Sequence, residues 1–146
     1  MNKAILTEKL TWYEQACCMC IEDLYHTAYI ALVNEDIAEK IVTQICVAGV
    51  HKYGNSENIE MIRFLLTSDL YHRIKHRLYF HTPNSKILPE PLCALSKTER
   101  LIAAMHFCSG ISSAESGKIL GLSEKIYAKT ISDIVRKLPL YPQDEV

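Results

Sequence analysis

Apolar residues in the first eighty positions are spaced as they are in amphipathic helices. Over residues 4–32 they recur mostly every three or four positions, and the same spacing continues over 36–52 and from about 58 to 79. Polar, turn-forming residues separate these segments, and Asn34 is a suitable N-cap for the second of them. The pattern predicts one long helix or two helices in tandem over 4–32, followed by two more helices, and no strand.

Residues 95–138 show the same period in shorter segments, each with its own start signal. Ser96 and Glu99 have the spacing of a capping box at the start of an amphipathic segment. Ser112 or Ser113 can cap the next short helix in the same way. This part of the chain is therefore predicted to form three or four short helices in a row.

The last of these segments follows a turn signal. Gly121 tolerates the positive φ that a sharp turn between helices needs, and Ser123 is a good N-cap for the helix that follows. The residues of that helix predicted to point inward are Ile126, Tyr127, Ile131 and Ile134. Two helices joined by a three-residue turn that contains glycine have the pattern of a helix-turn-helix, although an ordinary helical hairpin gives the same pattern.

Prolines divide the chain between the two groups of helices. Residues 81–94 contain Pro83, Pro89 and Pro91, which forbid a continuous helix and favour an extended connection. We therefore expect an all-α fold of two small helical domains, 1–80 and 95–138, joined by a Pro-containing linker over 81–94. Residues 139–146, with two more prolines, are expected to form a tail.

Charge adds an asymmetry between these two parts. The 146 residues carry a net charge of −1, which gives no overall preference for nucleic acid. Residues 95–138 hold seven Lys or Arg against four acids, a net +3, whereas residues 1–69 hold five against ten, a net −5. This distribution is compatible with a DNA-binding end and a protein-binding end, and also with a random surface.

Signals for a membrane, an enzyme or a metal site are weak. With no apolar run of about 18 residues and no signal-peptide pattern, we expect a cytoplasmic, nucleoid-associated protein whose six cysteines are reduced. Phosphate-binding and hydrolase motifs are missing, so we predict no enzyme activity and no cofactor. Cys17 and Cys20 have CxxC spacing without a second pair, and His72 and His76 lack further ligands. We predict no metal, with Cys17 and Cys20 as small apolar residues of a helix.

Taken together, these features resemble a bacterial RNA polymerase sigma factor of the compact extracytoplasmic-function type. The similarity is clearest to region 4, the −35-binding region, along 95–138, where Leu120-Gly121-Leu122-Ser123 has the family's spacing. The N-terminal half resembles region 2, which binds polymerase and the −10 element, through Asp36-Ile37-Ala38-Glu39 and Phe64-Leu65-Leu66. The resemblance implies promoter DNA with a −35-like element, core RNA polymerase and an anti-sigma factor as partners.

Two sets of candidate residues follow. The second helix of the turn motif would read DNA in the major groove, with phosphate contacts for affinity and base contacts for sequence. The candidate DNA-binding residues are Lys118, Ser123, Glu124, Lys125, Ala128, Lys129 and Ser132. The resemblance also implies a polymerase-binding helix. Its candidate residues are Asp36, Glu39, Lys40, Thr43 and Gln44.

The chain departs from the family's pattern at several positions. Ser116-Gly117 stands where the family has Ile-Ala, and Ile126-Tyr127-Ala128 stands where it has Thr-Val-Lys. Lys40 stands where the family has an acidic residue, so the usual acidic cluster is smaller. The stretch from Tyr53 to Phe64 is poor in the aromatic and basic residues that capture single-stranded DNA. Two alternatives therefore stay open: a one-component helix-turn-helix regulator, and a sigma-fold protein that binds polymerase or an anti-sigma partner without melting promoters.

Overall fold

The computed structural model describes residues 10–80, 92 and 94–138. All regular structure in this part of the chain is helical, which confirms the predicted all-α class. The helices are α1 (Trp12–Leu32), α2 (Glu35–Tyr53), α3 (Ile59–Phe80), α4 (Lys97–Cys108), α5 (Ser113–Leu120) and α6 (Glu124–Lys137). The predicted helical start at 4–9, nearly all of the predicted linker and the predicted tail lie outside the described residues.

The N-terminal helices begin and end where side chains or backbone satisfy their free polar groups. Asn34 caps α2, because its side-chain oxygen accepts a hydrogen bond from the Ile37 amide at 3.0 Å. Thr11 does the same for α1 through the Glu14 amide at 3.1 Å. Val33 ends α1 in the left-handed conformation with φ 52°, which reverses the chain into α2.

Helices α1, α2 and α3 pack around an apolar core. The large side chains that are fully buried there include Leu24, Ile41, Ile62, Leu66, Leu70 and Ile74. All six lie at positions with the predicted helical spacing. Each large aliphatic side chain buried in this way contributes roughly 1.5–3 kcal/mol through the hydrophobic effect, so this core is the main source of stability in the N-terminal part.

Helices α1 and α2 approach each other closely near Tyr13. Its ring is buried, and its hydroxyl donates a hydrogen bond to the Cys46 carbonyl on α2. Gly49, one turn further along α2, makes room for this hydroxyl, because a Cβ atom there would overlap it and would lie 3.0 Å from Leu66 Cδ2. The contact therefore depends on a glycine inside a helix, where glycine is otherwise unfavourable.

Helix α4 is buried on two sides. Leu101, Ala104 and Met105 belong to the core formed with α1, α2 and α3, and α4 packs along α1. Ile102 and Ala103 belong instead to a second cluster with Ile134 of α6 and Leu95. The described residues thus form a continuous path of apolar contacts through α4, and the division into domains 1–80 and 95–138 stays a prediction.

A polar contact joins the N-terminal helices to the turn that follows α4. Arg63 of α3 donates a hydrogen bond to the carbonyl of Gly110 at 3.3 Å and lies 3.8 Å from the Asp23 carboxylate of α1. Gly110 has a φ of 77°, a conformation that favours glycine. The side chain of Arg63 is only 16% exposed and that of Asp23 is 39% exposed, so this contact lies at the solvent-facing edge of the core.

Glu99 links the start of α4 to the end of α6. Its carboxylate accepts from the Ser96 amide at 2.9 Å, which completes the predicted capping box, and forms an ion pair with Lys137 at 2.6 Å. The Lys137 ammonium and the Ser96 amide hold the pKa of Glu99 below its ordinary value. A carboxylate with a lowered pKa stabilises the fold above its unfolded pKa, and this contribution disappears as the pH falls through the folded pKa.

Glu99→Gln is accordingly expected to destabilise the protein at neutral pH and to have little effect in acid. Because the ion pair is partly exposed, we expect a loss of about 0.5–1 kcal/mol at pH 7 that shrinks toward zero below about pH 4. Urea denaturation of both proteins across this range measures the difference. In a Lys137→Met background the effect of Glu99→Gln at pH 7 should be smaller, and an undiminished effect would contradict the ion pair as its cause.

Candidate nucleic-acid interface

The turn between α5 and α6 is built by backbone hydrogen bonds around a glycine. Gly121 has a φ of 72°, and the amide of Leu122 donates to the Gly117 carbonyl at 3.0 Å. This pattern is a Schellman motif, which ends α5 and satisfies its last carbonyl groups. Ser123 then caps α6, because its hydroxyl oxygen accepts from the Ile126 amide at 3.3 Å. At the other end of α5, Ser112 forms a capping box with Glu115.

A groove of about 650 Å³ lies between α5 and α6 and is closed at one side by α4. Its lining residues are His106, Ser113, Ala114, Gly117, Lys118, Leu122, Glu124, Tyr127, Ala128, Ile131 and Ser132. Apolar surface and small side chains dominate the interior, and the charged side chains of Lys118 and Glu124 are exposed. The groove therefore offers an apolar floor with polar groups along its edges.

The floor contains a histidine and tyrosine pair that sequence analysis missed. His106 Nδ1 lies 2.7 Å from the Tyr127 hydroxyl, and the tyrosine is 6% exposed. Burial raises the pKa of Tyr127, while hydrogen bonding with Ser116 and Ser113 opposes that shift. The pair joins α4 to α6, so it helps to set the position of α6 beside α5. Since the two residues are 21 positions apart, no local sequence pattern could have indicated it.

All seven predicted DNA-binding residues are exposed. Four of them line the groove, namely Lys118, Glu124, Ala128 and Ser132. The other three, Ser123, Lys125 and Lys129, lie on α6 or at its start, outside the groove lining, and the Ser123 oxygen is already used as the cap. The structure thus places the seven residues around one region of α5 and α6.

The prediction that Ile126 points inward was wrong. Its side chain is 55% exposed, whereas Tyr127 and Ile134 are buried and Ile131 is half-buried. Adjacent helical positions point about 100° apart, and on α6 it is Tyr127, in hydrogen-bond contact with His106 of α4, that takes the inner place. Ile126 instead adds an apolar side chain to the exposed face of α6.

Three lysines dominate the charge of this region. Lys118, Lys125 and Lys129 are exposed, and no salt bridge to any of them forms within the described residues. Lys125 and Lys129 lie one helical turn apart on α6. Glu124 offsets part of this positive charge at the N-terminus of the same helix. The lysines are thus available to an anionic partner.

The five predicted polymerase-binding residues lie on the exposed side of α2. Asp36, Glu39, Lys40, Thr43 and Gln44 are all exposed. Their spacing places them along one stripe of the helix. The Gln44 side-chain oxygen accepts a hydrogen bond from Arg73 of α3 at 2.9 Å, which fixes one end of the stripe.

Lys52 and Tyr53, the last two residues of α2, make contacts with α3. The Tyr53 hydroxyl donates to Asp69 at 2.7 Å, and Lys52 forms an ion pair with the same carboxylate at 3.4 Å. Burial, followed by the nearby Asp69 carboxylate, raises the pKa of Tyr53 to about 12. Both side chains are therefore partly engaged with α3.

The described part of the chain contains neither a metal-binding cluster nor a membrane-spanning helix. No three His, Cys, Asp or Glu side chains come together there in a way that could bind a metal ion. None of the described helices combines the length and the apolar character that crossing a bilayer requires. In comparisons with known proteins, the chain matches no protein-family model, no curated protein and no solved structure.

Proposed function

We propose that this protein is a sigma-like transcription initiation factor that directs bacterial RNA polymerase to promoters through α5 and α6. The observation that carries the proposal is the exposed face of α6, where Lys125 and Lys129 have no salt bridge to another described residue. Phosphate oxygens attract such lysines, and a capped helix held by a short turn is a common way to present side chains to the major groove.

The roles of the side chains follow from their positions. Lys129 lies one turn into α6 and would reach a guanine edge in the DNA major groove. Lys125 and Lys118 would contact phosphates on either side of that major groove. The exposed Ile126 side chain would meet a thymine methyl group, the apolar feature of the major groove. Ser123 would contact the DNA backbone, and Glu124 would accept a hydrogen bond from a cytosine amino group. Both contacts would hold the N-terminus of α6 in place.

The limited charge explains why polymerase would be needed. With two lysine–phosphate contacts, the slope of log affinity against log salt would be about −1.8, a loss of only about 12-fold between 50 and 200 mM salt. An electrostatic contribution this small is weak for a regulator that binds DNA alone. The stripe of α2 that runs from Asp36 to Gln44 would supply the second attachment, by docking on core polymerase and holding α6 at the promoter.

Run-off transcription tests the proposal directly. Core bacterial polymerase and fragmented genomic DNA are incubated with the full chain, with Lys129→Glu, or with Lys75→Glu, which makes the same charge change at an exposed position of α3. We expect discrete new transcripts with the unmodified chain and with Lys75→Glu. Lys129→Glu should abolish them, because it places a negative charge beside the DNA while leaving the polymerase-binding face intact.

A second candidate function is polymerase binding without promoter melting. The observation that favours it is the Tyr53–Asp69 hydrogen bond, together with the Lys52–Asp69 ion pair. Single-strand capture needs free aromatic surfaces and a basic groove. These contacts engage one side chain of each kind, the aromatic Tyr53 and the basic Lys52. Stable co-purification with core polymerase but no transcripts would support this function over initiation.

The polymerase contact can be tested separately. Glu39→Lys should weaken co-purification with core polymerase, whereas Glu22→Lys, at an exposed position of α1, should leave it unchanged. If the unmodified chain does not bind polymerase at all, both functions are excluded, and a helix-turn-helix regulator that acts alone becomes the reading to test by its binding to DNA.

A further inference from the structure

The groove between α5 and α6 has the size of a small-molecule site. Its volume of about 650 Å³ lies within the roughly 300–1,000 Å³ that is usual for pockets that bind small ligands. The α6 wall runs from Glu124 to Ser132, and the α5 wall runs from Ser113 to Lys118. With a rise of about 1.5 Å per residue, the α6 wall is about 12 Å long. The groove therefore fits a small molecule better than a long peptide.

Small side chains on α5 and aromatic rings on α4 and α6 give the groove an apolar interior. Ala114 and Gly117 belong to the α5 wall, and a Cβ atom added at Gly117 would lie 3.8 Å from the Tyr127 ring. The rings of His106 and Tyr127 lie 5.6 Å apart, with an angle of 60° between their planes. Because aromatic rings attract one another in such tilted arrangements, this floor favours a ligand that carries an aromatic ring of its own.

The two edges of the groove carry opposite charges. Lys118 lies on the α5 edge and Glu124 on the α6 edge, and both side chains are exposed. Neither forms a salt bridge with the other or with any other described residue. A ligand with a single charge would be attracted by one edge and repelled by the other. A zwitterion matches both edges, because its carboxylate can meet the lysine while its ammonium group meets the glutamate.

We propose that the groove binds a free aromatic α-amino acid. The ring of the ligand packs on the floor formed by His106 and Tyr127, its carboxylate binds Lys118, and its ammonium group binds Glu124. Both charged groups of an α-amino acid are attached to one carbon atom. The ligand can therefore bridge the two edges at one end while its ring enters the apolar interior.

A bound amino acid would interfere with the DNA contacts proposed for the same surface. Lys118 and Glu124 are both candidate DNA-binding residues, assigned above to a phosphate and to a cytosine amino group. A ligand held by these two side chains would compete with DNA for them, so the amino acid would lower transcription. This regulatory consequence rests on the proposed function, whereas the binding of the amino acid is a property of the groove alone.

Titration of the isotope-labelled full chain, followed by nuclear magnetic resonance, tests the site. L-tryptophan carries both charges, tryptamine lacks the carboxylate, and indolepropionic acid lacks the ammonium group. We expect L-tryptophan to shift the amide signals of Ala114, Gly117 and Ala128. The other two compounds should bind about 5-fold more weakly, since each loses one attraction at an exposed edge and keeps one repulsion. Equal affinities for the three compounds, or no binding of L-tryptophan, would overturn the proposal.

Removing either edge charge should reverse the order of the three compounds. In Lys118→Gln, tryptamine should bind more tightly than L-tryptophan, because the carboxylate then meets only the charge of Glu124. In Glu124→Gln, indolepropionic acid should bind most tightly for the converse reason. Arg136→Gln removes a positive charge from an exposed position of α6 outside the groove lining and should keep the original order. An unchanged order in both edge variants would contradict the assigned roles of the two charges.

Filling the groove provides a test that does not depend on charge. Ala128→Phe places a ring in the groove and should abolish the binding of L-tryptophan. Val135→Phe adds a ring at an exposed position of the same helix outside the groove lining and should leave the binding unchanged. Both positions are exposed, so both variants should keep the circular dichroism of the unmodified chain. Full binding by a folded Ala128→Phe variant would exclude the groove as the site.

The regulatory consequence is measured separately in the run-off assay. L-tryptophan at a saturating concentration should lower the yield of transcripts, and indolepropionic acid at the same concentration should have a smaller effect. Undiminished transcripts with a saturated groove would contradict competition with DNA. A chain that yields no transcripts without any ligand would exclude the proposed function, and the titrations would still decide whether the groove binds the amino acid.

Discussion

Replacing Ile134 with alanine is expected to lower the free energy of unfolding by about 3 kcal/mol. Ile134 is fully buried in the cluster formed with Leu95, Ile102 and Ala103, against which the half-buried Ile131 of α6 also packs. The substitution removes three carbon atoms from a site whose neighbours include the small Ala103, so a cavity remains. Urea denaturation followed by circular dichroism measures the loss.

The same substitution at Ile126 provides the matched control. Ile126 belongs to α6 as well, but its side chain is 55% exposed. Ile126→Ala should change the free energy of unfolding by no more than about 0.5 kcal/mol, because little apolar surface is buried there. Equal losses for the two variants would contradict the burial of Ile134, and a large loss at Ile126 alone would reverse the assigned orientation of α6.

Gly49→Ala is expected to destabilise the protein by about 2 kcal/mol, although alanine is the better helix former. The added methyl group would overlap the Tyr13 hydroxyl and press on Leu66, so Tyr13 must shift and weaken its hydrogen bond to Cys46. Overpacking costs roughly 1–3 kcal/mol and a disturbed buried hydrogen bond a similar amount, against a gain of about 1 kcal/mol in helix propensity. Thermal or urea denaturation gives the difference.

Gly117→Ala should have the opposite sign. This glycine is also buried inside a helix, but a Cβ atom there would lie 3.6 Å from the Leu122 carbonyl oxygen and 3.8 Å from the Tyr127 ring, which is ordinary contact. We expect a gain of about 0.5–1 kcal/mol from the higher helix propensity of alanine. Two stabilising variants, or two destabilising ones, would show that the space around one of these glycines differs from that described.

Local signals in the sequence were sufficient to locate the helices. Asn34, Ser96, Ser112 and Ser123 all act as N-caps, and Gly121 takes the positive φ that the turn requires. These features depend on residues within about four positions of each other, so a single sequence contains the information. The apolar faces of α1 and α3 were predictable for the same reason, since one side of each helix meets the core.

Features that depend on packing between distant helices were not predictable in the same way. The helical period suggested one apolar face on α4, yet Ala103 and Ala104 are both buried because they face different clusters. Periodicity cannot decide between two adjacent apolar residues when only one can face inward, which is why Ile126 was misplaced beside Tyr127. The contact between His106 and Tyr127 likewise joins different helices.

The position of α4 has a consequence for the order in which the protein can fold during synthesis. The ribosome completes α1, α2 and α3 before it reaches residue 97, so the surface of α1 that receives Leu101, Ala104 and Met105 is made well before its cover. Until α4 emerges, the nascent chain presents this apolar surface to water and to neighbouring chains. A ribosome that stalls before α4 would therefore release a fragment prone to aggregation. The complete α4 covers that surface, and its Ile102 and Ala103 form the apolar surface on which α6 packs.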